Sequence, residues 1–106
     1  MNRPVDTSTG MVTLYDFTAK WCGPCRVMKP VLEGLAKEYG SRMKLVEVDV
    51  DEDPVTAQQF NVRAMPTFVL VRDGREVGRF VGSRPRAFVA GVLDRALSGD
   101  VQITAP

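Results

Sequence analysis

Apolar residues recur along this chain in two rhythms, every second residue as in strands and every third or fourth as in helices. Residues 1–10 follow neither rhythm, being polar and rich in Thr, Ser, Asn and Gly, and are expected to form a mobile tail. The run Met-Val-Thr-Leu-Tyr-Asp-Phe at 11–17 is β-branched and aromatic with apolar residues on both faces, which predicts a buried central strand containing one anomaly, Asp16. Val27, Met28, Val31, Leu32, Leu35, Ala36 and Tyr39 then recur at helical spacing and Gly40 follows, predicting a helix over 22–39 with a kink at Pro30. At 43–50, Val46, Val48 and Val50 alternate with Leu45, Glu47 and Asp49, the pattern of a half-covered strand with a partly wet acidic side.

Asp53-Pro54 reads as a capped start to a short helix through Val55, Ala57 and Phe60. Strands at 67–72 and 76–81 flank Asp73-Gly74, a dipeptide suited to a tight hairpin turn. Ser83 and Pro85 open a last helix with the stripe Phe88, Val89, Val92, Leu93, Ala96 and Leu97, ending at Gly99 and leaving a loose tail over 100–106. The order strand, helix, strand, short helix, strand, strand, helix predicts an α/β layer fold in which a mixed sheet is covered by helices. One domain over 11–99 follows, with the tails outside it.

Composition narrows the function. A chain of 106 residues, 44% apolar and 25% charged, supports one globular core. Its formal charge of +1 lacks the concentrated positive field of a protein that tracks nucleic acid. No apolar run approaches the length of a membrane span and the first residues do not read as a secretory signal, so a cytoplasmic location is expected.

The two cysteines, Cys22 and Cys25, are too close in sequence for their bond to staple a fold, and their spacing points to chemistry. A thiolate is the attacking species, and the first turn of a helix offers unpaired N–H groups and the positive end of the dipole to stabilise one at Cys22. Lys20 and Arg26 stand close in sequence and add positive charge. Cys25, one turn on, is expected to be the more buried sulfur and to attack the mixed disulfide that Cys22 forms. With no histidine and no third cysteine, a zinc site would need two chains or carboxylates, so no metal is expected, and a Cys-His nucleophile is excluded. Two inert packed cysteines remain the alternative.

The segment Asp16-Phe17-Thr18-Ala19-Lys20-Trp21-Cys22-Gly23-Pro24-Cys25, then Pro30, Val48-Asp49-Val50-Asp51, Met65-Pro66-Thr67 and Val81-Gly82, resembles thioredoxin in register from about residue 11 to 98. The resemblance implies a thioredoxin-like fold, a four-stranded mixed sheet flanked by three helices. It implies that Cys22 is the nucleophile, Cys25 the resolving thiol, Asp16 a buried carboxylate that moves protons to and from Cys25, and Pro66 a cis proline facing the dithiol. A trans proline opening a strand is the alternative for Pro66. The backbone of Met65 could then pair with an extended client segment by strand addition. Trp21, Gly23, Pro24, Met65, Pro66, Val81, Gly82 and Ser83 would form a flat apolar contact surface, unless Trp21 is a partly buried core aromatic. The implied partners are thioredoxin reductase and disulfide-bearing client proteins, with no cofactor beyond the dithiol itself.

Against the family pattern, the chain has ten polar residues where an additional strand and helix are expected, which would leave 43–50 as a sheet edge open to pairing in a protein expected to be monomeric. Residues 101–104 could fold back on that edge or swap between chains. A lysine common in bacterial thioredoxins is replaced by Glu47, expected to face Asp16 and, with burial, to raise its pKa. Thr18 stands in place of a second tryptophan. Two rival functions compete with protein-disulfide reduction: a thiol oxidant or isomerase, disfavoured by Gly-Pro between the cysteines, and a non-catalytic binding module, disfavoured by the intact dithiol.

Overall fold

The computed structural model describes residues 10–99 and 103–104, so residues 1–9 of the expected first tail and most of the second lie outside the described residues. At its centre is β1 (Val12–Thr18), which pairs in parallel with β2 (Met43–Asp49) and antiparallel with β3 (Thr67–Arg72). A strand flanked on both sides and covered on both faces is largely apolar where it is buried: Val12, Leu14 and Phe17 are wholly buried, and Asp16 is the charged exception. β3 returns through a hairpin to β4 (Arg75–Val81), with Asp73 at φ 54° and Gly74 at φ 77° in the turn. Two consecutive positive angles are what a two-residue connection between twisted strands requires.

The strand order is β2-β1-β3-β4 with a two-residue β5 (Ile103–Thr104) parallel to β4. The four expected strands are thus present and the sheet is mixed. Of the two alternatives for 101–104, folding back on the 43–50 edge is not what Ile103 and Thr104 do, since they lie at the opposite edge, beside Gly78 and Arg79. The reason is where the last helix ends: Arg72 of β3 holds its final carbonyls, so the chain leaves it nearer to β4 than to β2, which lies beyond β1.

Three helices cover the sheet. α1 (Gly23–Tyr39) runs on through Pro30 and buries Cys25, Met28, Leu32, Leu35 and Tyr39. Val27, expected in that stripe, is exposed, because it sits about 100° around the helix from Met28 and off the buried face. After a 3-10 turn (Gly40–Arg42) and β2, α2 (Pro54–Gln59) starts where the Asp53 carboxylate accepts the Thr56 N–H at 3.1 Å. α3 (Arg86–Ser98) buries Val89, Val92, Leu93 and Ala96 and ends at Gly99, φ 82°. Ser83 does not cap it; Pro85 occupies that position without a side-chain bond. One face of the sheet packs Val12, Leu14, Phe68, Leu70 and Phe80 against α1 and α3, and the other packs Phe17, Val48 and Val69 with Ala57 of α2.

Candidate active site

The parallel pair β1 and β2 delivers the chain to one end of the sheet, where β1 runs through Ala19 and Lys20 into the start of α1. Cys22 is the N-cap residue of α1, in extended backbone conformation, and its Sγ accepts the backbone N–H of Cys25 at 3.2 Å. The sulfur therefore takes the place of a capping oxygen, in the N–H field that stabilises negative charge on it. Cys22 and Cys25 are joined by a disulfide, with their Cα atoms 5.3 Å apart. Cys25 is not the more buried of the two: both are 4% exposed and sit in one cluster with Ala19, packed against by Val50 and Met65.

Around the disulfide, Gly23 and Pro24 are exposed and Trp21 is 67% exposed, so Trp21 is no core aromatic. Its indole Nε1 donates to the Asp51 carboxylate at 2.8 Å, which fixes the ring beside the cysteines. Lys20 pairs with Glu52, while the Arg26 guanidinium donates to the Lys20 carbonyl at 2.7 Å. Both cations thus have partners near the sulfurs. Met65, half-buried, packs on the cluster of Ala19, Cys22 and Cys25, and the Met65–Pro66 peptide is cis. The loop is held from two sides: Thr67 Oγ1 donates to the Ala64 carbonyl at 2.6 Å and the Gly82 N–H to the Pro66 carbonyl at 2.8 Å. Gly82 has φ 91°, a conformation that admits glycine freely and other residues with strain. Val81 is paired with Thr67, and Ser83 is exposed beyond it. The next backbone N–H, of Arg84, donates to the Met28 thioether at 3.4 Å, tying this loop to the underside of α1.

Asp16 is 4% exposed and stands opposite Glu47 in the β1–β2 register. Its Oδ1 is buried with no hydrogen-bond partner among the described residues. Burial first, then the negative charge of Glu47, push its pKa up to about 7, and Lys29 pulls it back. The expected effect of Glu47 is therefore present, though burial outweighs it. Among the described residues no group of three His, Cys, Asp or Glu side chains could hold a metal ion, and no helix is long and apolar enough to cross a membrane.

A sheet that ends in a capped disulfide facing a cis-proline loop is a specific arrangement, and comparison with known proteins agrees with it. The Thioredoxin family model matches residues 4–95. The chain belongs to the thioredoxin family. It is 45% identical over 86 residues to a thioredoxin of Staphylococcus haemolyticus, covering 81% of this chain and 83% of that one. Among solved structures, thioredoxin of Fasciola hepatica superposes with a TM-score of 0.77 at 41% identity, covering 82% of each chain. Mitochondrial thioredoxin 3 of Saccharomyces cerevisiae, in its oxidised form, gives 0.72 at 42% identity, covering 80% of this chain and 79% of that one. As a thioredoxin, the chain is a protein-disulfide oxidoreductase working through the Cys22–Cys25 pair.

Two residues at this thioredoxin site were not singled out in the sequence. Asp51, the partner of Trp21, lies in the Val48-Asp49-Val50-Asp51 run, but only the fold brings it to the indole. Lys29 follows Cys25 by four residues and so shares its helix face, a spacing that could have marked it.

Proposed function

We propose that the protein reduces disulfides in client proteins, with Cys22 as the attacking thiolate, Cys25 as the resolving thiol and Asp16 as the proton acceptor for Cys25. The observation that carries this reading is the Cys25 N–H on Cys22 Sγ at the head of α1, a contact that favours charge on that sulfur. In the reduced protein the Cys22 thiolate attacks a client disulfide, forming a mixed disulfide and expelling one client thiolate, which takes a proton from water. Cys25 gives its proton to the Asp16 carboxylate and attacks Cys22 Sγ; the Cys22–Cys25 bond forms and the second client thiolate leaves. The client gains two electrons and the protein loses two.

Met65 and Pro66 would receive an extended client segment along their backbone, with Trp21, Gly23, Pro24, Val81, Gly82 and Ser83 as the surrounding contact surface. The exposure of Trp21 and its fixing by Asp51 support that role. A thioredoxin reductase returns the oxidised protein to the dithiol, in the cytoplasm, and the working form is a monomer needing no cofactor beyond the cysteines.

Reduction of insulin disulfides by dithiothreitol tests the reading. The wild type should accelerate it, Cys22→Ser should abolish the acceleration, and Cys25→Ser should trap mixed disulfides. Equal rates with and without the wild type would reject it in favour of a binding role.

A further inference from the structure

Two hollows near Asp16 share part of their walls. A groove of about 430 Å³ reaches Cys25, and its charged walls include Lys20, Arg26, Asp49 and Glu52. A smaller hollow of about 110 Å³ is lined by Asp16 together with Leu32, Glu33 and Leu45. Lys29 of α1 and Glu47 of β2 line both hollows, so the place where they adjoin is bounded by one cation and one anion from opposite walls. The smaller hollow has volume enough to admit water against Asp16, whose Oδ1 is buried and has no hydrogen-bond partner among the described residues.

We propose that Lys29 is a positioning residue for proton transfer, forming with Glu47 a charged mouth through which the Asp16 carboxyl exchanges protons with solvent on the way to and from Cys25. This rests on the reading above in which Asp16 accepts the Cys25 proton. In the resolving step Cys25 loses its proton to Asp16 as the Cys22–Cys25 bond forms and the Cys22–client bond breaks. Before the next cycle that proton must leave a carboxyl with almost no exposed surface, and the mouth is the adjoining opening. The charged groups that face Asp16 are Lys29 and Glu33 from α1 and Glu47 from β2; the β3 residue paired with it is Phe68, which carries no charge. Of these, Lys29 is the cation: its ammonium favours the ionised carboxyl, and Glu47 opposes it. Since Lys29 and Glu47 are both exposed, the balance is open to salt and to the charges of a docked client.

The experiment compares wild type, Lys29→Met, Lys29→Arg and Glu47→Gln. Asp16 is titrated by carboxyl carbon NMR, and the rate of mixed-disulfide resolution is followed from pH 5 to 9. Lys29→Met should move both midpoints up by roughly half to one pH unit, Lys29→Arg should restore them, and Glu47→Gln should move them down. Rates at pH 9, above all the midpoints, should agree within about twofold, because the carboxyl is then ionised in every variant. Coincident midpoints in wild type and Lys29→Met overturn the proposal, as does a uniform slowing at all pH values. A wild type that fails to reduce insulin would instead reject the functional reading, and the NMR titration still reads the charge coupling in that case.

Discussion

Asp16 shows how a single residue can work against the fold that holds it. Its carboxyl, held at about 7 in the folded chain against 3.8 when exposed, keeps its proton over a range in which the unfolded chain has released it. The native state therefore binds more protons at Asp16 than the unfolded state between those values, so this residue's contribution to stability is full below about pH 4 and is lost as pH rises to about 7. Replacement by a neutral isostere removes that loss. Asp16→Asn should gain up to about 4 kcal/mol over wild type at pH 8, and little of this difference should remain at pH 4. Urea unfolding of the oxidised proteins at the two pH values checks it; parallel stabilities would mean that the carboxyl is not strained by burial. The sequence announced this residue as a carboxylate within an apolar run, and its neighbour Glu47 was readable from strand register. Spacing puts Lys29 on the helix face of Cys25, but its nearness to Asp16 comes only from the packing of α1 over the sheet.

Among the elements, those with local signals were legible. Asp53-Pro54 and Asp73-Gly74 carry their own cap or turn chemistry, and each does in the structure what its sequence predicts. Ser83 was misread because a serine near a helix start is a cap only if its backbone enters the first turn, and here Pro85 does so. The end of α3 was legible in Gly99 but not in what secures it: Arg72, fourteen residues before the helix, donates from Nη1 to the Ala96 and Leu97 carbonyls at 2.9 and 3.0 Å. A half-buried guanidinium on the last carbonyls satisfies groups the helix leaves unpaired and opposes their partial negative charge. Arg72→Leu should cost about 1.5–3 kcal/mol, read as a lower urea midpoint with an unchanged slope. Unchanged stability would show that water replaces the side chain at no cost.

At the scale of the molecule, fold class and the dithiol were legible because each is set by short segments, while the cis Met65–Pro66 bond was legible only through the family resemblance. The placement of Ile103 and Thr104 was not, since a two-residue strand has no period of its own. β1 and β3 lie inside the sheet while β2, among the described residues, has a strand on one side. Amide exchange should follow that order, with β1 and β3 slowest and the outward amides of β2 faster by at least roughly tenfold. Equal protection across the three would mean that β2 is covered in solution. The bond from the Arg84 N–H to the Met28 thioether has a consequence for durability. A sulfoxide at Met28 would bring a polar, bulkier group into the wedge between α1 and the 81–84 loop, and peroxide damage there would unseat the loop from beneath. At 1% exposure that sulfur is sheltered from peroxide, whereas the pair at the rim is left to take up electrons and give them away.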